Sequence, residues 1–294
     1  MTKNKNTPTI ADLIRQQFND FKPAEHKIAS HLLANYPMAG LLTITALSEV
    51  CEVSTPTVMR ALKRIGFTSF VSFQQALKQE LSQSLADPLE KHGQWASGAP
   101  REHILNQAAD FVVANLRDTM NQISHETFNQ VVDLVSDQER AVHMVGGRIT
   151  HSFSEYLGTH LEVIRKGVFK LPLSVSLWPH QLLDMNNGDV LVVFDVRRYE
   201  SDLFNLAKLA NDKGIEVVLF TDQWLSPIAE FANLIIPARV EAPSGWDSGV
   251  ATLFLVEALV ASVESKLWPE AEKRMQELEH VFGYTHRFAQ KKWN

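Results

Sequence analysis

Residues 45–66, TALSEVCEVSTPTVMRALKRIG, decide how the first third of the chain folds. Ala46, Leu47, Val50 and Cys51 are apolar at helical spacing and predict a short first helix. Glu52-Val53-Ser54 predicts a tight turn. Ser54 suits the N-cap of the next helix, and Pro56 falls in its first turn, where a missing N–H costs little. Val58, Leu62 and Ile65 recur at i, i+4 and i+7, a stripe to be buried. The other face carries Thr55, Thr57, Arg60, Lys63 and Arg64. Hydroxyls at a helix N-terminus followed by cations suit a groove lined by phosphates. Gly66 then ends the helix. The pattern is a helix-turn-helix; its alternative is an ordinary helical hairpin with a solvated basic face.

Next in the chain come Gly66-Phe67-Thr68-Ser69-Phe70 and an amphipathic helix over about 71–84. The run STPTVMRALKRIGFTSF resembles the recognition helix and G-F-x-x-F turn of the RpiR (MurR/RpiR) family of bacterial transcriptional regulators. The resemblance covers nearly the whole chain and is sharpest in its first third. It implies an N-terminal helix-turn-helix domain joined to a C-terminal sugar isomerase (SIS) domain. The implied DNA contacts are Thr55, Thr57, Arg60, Lys63 and Arg64, with Ser54 capping their helix. Arg60 is expected to reach a base edge, Lys63 and Arg64 to meet phosphates.

The chain's 294 residues allow two domains, and 45% hydrophobic with 21% charged residues is an ordinary globular composition. No apolar run reaches a membrane span, and residues 1–9 lack the apolar stretch of a signal peptide, so a cytoplasmic protein without membrane contact is expected. The single cysteine, Cys51, reads as a small core residue. Net charge is −6, divided unevenly: residues 1–85 carry 9 Lys/Arg against 6 Asp/Glu, the remainder 19 against 28. A mildly basic head on an acidic body fits contact with double-stranded DNA through one end only.

The expected fold class is α followed by α/β. An all-helical helix-turn-helix domain spans 1–85. Its first helix is marked by Ile10, Leu13, Ile14 and Phe18; its second opens at Pro23 and runs to about Tyr36-Pro37. Residues 86–100, ADPLEKHGQWASGAP, read as a linker, within which Trp95 is a candidate docking residue. From 101 to 294 the pattern is a doubly wound, five-stranded parallel sheet of SIS type. A long helix and a shorter one ending near Val135 precede five short apolar runs, Ala141–Val145, Val168–Leu171, Val190–Phe194, Glu216–Phe220 and Leu234–Ile236, which alternate with helical segments. The ligand site of such a sheet lies at the carboxyl ends of its strands.

Two loops qualify for that site. The first is Gly146-Gly147-Arg148-Ile149-Thr150, where glycines admit a ligand to the backbone and the next helix N-terminus favours an anion. Sugar-phosphate binders of the family show G-x-G-x-S here; this chain keeps Gly146, has Arg148 for the second glycine and Thr150 for the serine. The second is Asp195-Val196-Arg197-Arg198-Tyr199-Glu200, where the family pattern S-x-S-G-x-T is not kept. Its arginines read either as an anion clamp or as a structural salt bridge to Asp195, Glu200 or a partner subunit. The candidate effector residues are Gly146, Gly147, Arg148, Thr150, Asp195, Arg197, Arg198 and Tyr199. Thr221-Asp222 and Ser244-Gly245-Trp246-Asp247-Ser248 are further candidates for the same crevice or for helix caps.

No CxxC, HExxH or carboxylate-rich loop points to a metal, and no cofactor is expected. The resemblance implies a regulator whose operator affinity is set by a small anionic metabolite, a sugar phosphate or carboxylate, in a homodimer or homotetramer. The long helices at 101–123 and 247–266 are candidate subunit contacts, and so is the basic tail from Gly283. The alternative is a sugar-phosphate isomerase, for which Glu257, His143 and His151 are the available acid–base groups. A third reading is a nucleoid-type DNA binder without an effector.

Overall fold

The helical head begins where a capping box can form. The Thr9 hydroxyl accepts the Asp12 N–H, and the Asp12 carboxylate accepts the Thr9 N–H, which starts α1 (Ile10–Gln16). The computed structural model describes residues 8–85, 88–98 and 103–285. After α1 come α2 (Pro23–Ala34), α3 (Ile44–Val50), α4 (Thr55–Arg64) and α5 (Phe70–Leu85), close to the expected positions. Ile14, Ile28, Leu47, Val58, Leu62 and Phe73 form the head's core. Gly66 sits at φ +98, which lets the chain turn back so that the Phe67 N–H reaches the Leu62 carbonyl at 2.9 Å. Val50, one of the apolar residues that mark this helix, is 57% exposed, because the short α3 ends there and its inward face is filled by Leu47 and Cys51.

Residues expected to form a linker contain a helix, α6 (Pro88–Gly98). Its punctuation explains the difference: Pro88 lies at its start, Gly98 at its end and Pro100 beyond, so only Gly93 interrupts the interior. The Trp95 side chain lies outside the described residues.

Two helices, α7 (Ile104–Gln122) and α8 (His125–Ser136), lead into the body. Then come β1 (Val142–Gly146), α9 (His151–Ile164), β2 (Val168–Lys170), α10 (Trp178–Asp184), β3 (Val190–Asp195), α11 (Ser201–Asp212), β4 (Glu216–Asp222), β5 (Leu234–Ala238), α12 (Val250–Lys266) and α13 (Trp268–Tyr284). Among the described residues the strands form one parallel sheet in the order β2-β1-β3-β4-β5. Alternate side chains face opposite layers: Val190, Val192 and Phe194 pack with α8, α9 and α12, whereas Leu191 and Val193 pack with α10 and α11. The expected doubly wound body is present.

Helix α13 was not anticipated from the sequence. Its signal is Trp268-Pro269-Glu270, a proline and an acid in the first turn. The basic tail beyond Thr285 lies outside the described residues.

The head rests against the body. Leu225, just after β4, is buried in the head's core cluster, and Ala229 and Ile235 pack against the same cluster. Asp12 of α1 pairs with Arg239, just after β5, and both side chains are buried.

Candidate functional site

The carboxyl ends of β1 and β3 open into a cavity of about 810 Å³, where the sheet's topology places a ligand. Of the eight expected effector residues, Arg148, Thr150, Asp195, Arg197 and Arg198 line it. Its apolar wall is supplied by Ile149, Phe153, Val240 and the exposed Trp246. Pro88 and Lys91 of α6 close one side, so a segment read as a linker contributes to the site.

The loop after β1 is tied down from within. The Gly147 N–H donates to the Thr150 hydroxyl at 2.8 Å, and that hydroxyl donates to the Phe194 carbonyl at 2.7 Å. Thr150 is thus a clasp between β1 and β3. Gly146 ends β1 beneath this clasp. Gly147 lies against Glu200, whose carboxylate oxygen would meet a Cβ there at 2.3 Å, so a side chain at this position would push Glu200 away. Glu200 also accepts the Arg148 N–H at 2.9 Å.

The loop after β3 is strained: Arg197 and Arg198 sit at φ +28 and +57. Asp222 holds them there. Its carboxylate accepts the Arg197 N–H at 2.6 Å, the Tyr199 hydroxyl at 2.8 Å and the Trp224 N–H at 2.9 Å. Burial pushes the Asp222 carboxyl up, against these donors, and burial together with Asp222 pushes the Tyr199 phenol well up. Tyr199 therefore orients the loop through Asp222. The Arg197 guanidinium lies 4.1 Å over the Trp224 ring and pairs with Asp247 at 3.0 Å. Its partner is neither of the two acids named from the sequence. Asp247 also takes Lys91 of α6 at 2.6 Å.

Asp195 is buried at the cavity floor, where its carboxylate accepts from the Ser226 hydroxyl and, at 3.4 Å, from the Glu200 N–H. Burial pushes its pKa up to about 7, with Asp222 and Glu200 adding to the rise. Arg148 and Arg198 differ from Arg197: both side chains are exposed at the rim, and neither forms an ion pair among the described residues. Thr221 is fully buried, its hydroxyl accepting the Ser226 N–H at 3.0 Å. Sequence reasoning did not reach Lys91, Asp247's role as a bridge, or Glu200's place in the β1 loop. The only available signal for Glu200 was an acid two residues after a paired arginine.

The groups nominated for isomerase chemistry do not meet in this cavity. His143 is buried in β1, stacked 4.9 Å from Phe169 with Asp189 at 3.8 Å, and burial pulls its pKa down. His151 faces Glu155 at 3.5 Å, and Glu257 accepts from Tyr156 at 3.1 Å.

In the head, α4 presents Arg60, Lys63 and Arg64 to solvent, with Thr55 half-buried. Thr57 is buried: its hydroxyl accepts from Arg60 at 2.7 Å and lies 2.9 Å from that of Ser54. Ser54 occupies the N-cap with extended backbone, but its hydroxyl makes this side-chain contact and no capping bond. Arg64 pairs at 3.2 Å with the buried Glu25.

Residues 9–84 match the helix-turn-helix domain of the rpiR family, and residues 136–262 match the SIS domain. A HexR HTH-type transcriptional regulator of Pseudomonas aeruginosa is 26% identical over 265 residues, 86% of this chain and 88% of that protein. The RpiR transcription factor of Sphaerobacter thermophilus, solved as its sugar isomerase domain, aligns with a TM-score of 0.56 at 22% identity, over 61% of this chain and 99% of that one. The Vibrio vulnificus NanR protein, complexed with ManNAc-6P, aligns with a TM-score of 0.53 at 23% identity, over 92% and 96%. Both structures share the fold of this chain.

Proposed function

This chain belongs to the RpiR family, a helix-turn-helix transcriptional regulator with a SIS domain, and we propose that a small anionic metabolite in the crevice above β1 and β3 sets its affinity for operator DNA. One observation carries the effector reading. Arg148 and Arg198 flank the mouth of a cavity of about 810 Å³ without ion-pair partners among the described residues, and charged side chains so placed attract an anion. The apolar wall supports an organic ligand rather than a bare ion. Coupling to the head would follow from linkage: a ligand favouring one arrangement of paired heads changes the free energy of binding DNA.

In this reading α4 enters the major groove of double-stranded DNA. Arg60 reads a base edge, oriented by Thr57; Thr55 and Lys63 meet phosphates; Arg64 and Ser54 hold the helix in place. The protein acts in the cytoplasm as a homodimer or homotetramer, since one small head contributes few phosphate contacts. Leu105, Val113 and Met120 leave an exposed apolar face on α7 for a subunit contact. No isomerase chemistry is expected of His143, His151 or Glu257, which do not line the cavity.

The test is a thermal-shift screen of the whole protein against sugar phosphates and non-phosphorylated sugar acids, followed by operator binding with and without any hit. A ligand that raises Tm and changes operator affinity supports the reading. Turnover of a sugar phosphate, or a ligand that binds without altering DNA affinity, overturns it.

A further inference from the structure

The rim of the cavity carries unpaired cations among the described residues, whereas the cations of its interior, Lys91 and Arg197, are both paired with Asp247. Arg148 and Arg198 stand at the mouth, whereas Asp195, Glu200 and Asp247 line the interior. The most telling of these acids is Glu200. It precedes α11, yet its carboxylate reaches across to the loop that opens α9, where it accepts the Arg148 N–H at 2.9 Å and lies against Gly147. The first N–H groups of α9 are already engaged within the loop, where His151, Ser152 and Phe153 donate to the carbonyls of Gly147, Ile149 and Thr150. The Arg148 N–H, which precedes the helix and is an amide open to an anion, holds an acid of the chain itself. The Thr150 hydroxyl, which a ligand would otherwise meet in the same loop, is engaged on both sides by Gly147 and Phe194.

The geometry points to Glu200 as the residue that sets the ligand's chemical class: its carboxylate fills the anion seat at the Arg148 amide of the β1–α9 loop, so the crevice takes a hydroxylated ligand bearing one anionic group at the Arg148 and Arg198 rim, and excludes a phosphate from that amide. A carboxylate at 2.9 Å from an amide repels a second anion there, and it offers acceptor lone pairs that a sugar or polyol hydroxyl satisfies. Gly147 is part of the same device, since any side chain at that position would displace Glu200.

This inference rests on the reading of the crevice as an anion site, and inorganic phosphate separates the two. Calorimetric titration of the full-length protein with inorganic phosphate is compared for the parent, Glu200→Ala and Glu200→Gln, with folding checked by circular dichroism. The alanine variant empties the seat, while the glutamine variant keeps the acceptor and shape but removes the charge. Both are expected to bind phosphate at least tenfold more tightly than the parent, and adding Arg148→Ala is expected to reverse the gain. Parent protein that binds phosphate as tightly as the variants, with that binding lost in Arg148→Ala/Arg198→Ala, overturns the role of Glu200 and leaves the crevice as an anion site. Absence of phosphate binding in every variant also overturns the seat. The crevice then stands or falls on the sugar-acid arm of the thermal screen.

Discussion

Asp12 and Arg239 lie 227 residues apart in the chain and form an ion pair buried on both sides, joining the first helix of the head to the end of the sheet. Arg239 adjoins Val240, which lines the cavity, so the seam between head and body runs one residue from the proposed ligand site. Trp224 gives a second short path: Arg197 stacks on its ring, and the next residue, Leu225, is buried in the head's core.

Removing one partner of the buried pair is expected to cost more than removing both. Asp12→Ala removes the buried partner of Arg239, leaving it only the charges of Glu241 and Glu80, and also opens the Thr9 capping box, a loss of about 3–5 kcal/mol. Asp12→Leu combined with Arg239→Met restores much of it. Urea unfolding of the single and double variants measures the difference, and equal losses would show that the pair is solvated in solution.

Arg60 and Arg64 should separate by assay. Arg60→Ala is expected to abolish specific operator binding with Tm unchanged. Arg64→Ala removes the ion-pair partner of the buried Glu25, which keeps the Lys22 N–H, and should lower stability by about 1–3 kcal/mol. Lys63→Ala should weaken binding to all sequences alike and lower the salt slope by about one. Gel-shift titrations at several salt concentrations, with melting curves, check all three.

Asp195 makes stability depend on pH in a defined window. Its pKa rises on folding from the ordinary 3.8 to about 7, so between these values the native state holds a proton that the unfolded chain has released. The stabilisation is complete below the lower value and lost as pH rises through the upper one. At about 1.4 kcal/mol per pH decade, the span amounts to at most about 4 kcal/mol. Asp195→Asn should flatten the fall between pH 5 and 7 and be at least as stable as the parent at pH 8; melting temperatures across that range read it out.

The rim arginines should matter more to the ligand than Arg197 does. Arg148→Ala/Arg198→Ala is expected to remove any ligand-induced rise in Tm while leaving the unliganded Tm unchanged, because both side chains are exposed and unpaired among the described residues. Arg197→Ala should lower the unliganded Tm, since it unseats Asp247 and uncovers Trp224. A preserved ligand shift in the double variant would place the anion elsewhere.

Much of this protein was legible in its sequence because the relevant physics is local. Helical periodicity at Val58, Leu62 and Ile65, the stop at Gly66, and the alternation of Val190 to Phe194 each follow from backbone geometry within a few residues. They predict the helix-turn-helix, the strand order of appearance and the two loops of the site. Pro88 and Gly98 carried the same kind of information about α6, but proline and glycine mark helix ends as well as linkers, and composition alone does not separate the two. What the tertiary structure decided is which charge meets which. Arg197 and Arg198 are neighbours in sequence, yet Asp222 and Trp224 turn one inward to Asp247 while the other remains at the rim. Glu200 reaches the β1 loop only because β1 and β3 are adjacent in the sheet, and Thr57 is buried only because α4 packs on the rest of the head. Side-chain identity sets what a residue can bond to, and the long-range approach of separate segments sets whether that bond goes to the protein or stays open for a ligand.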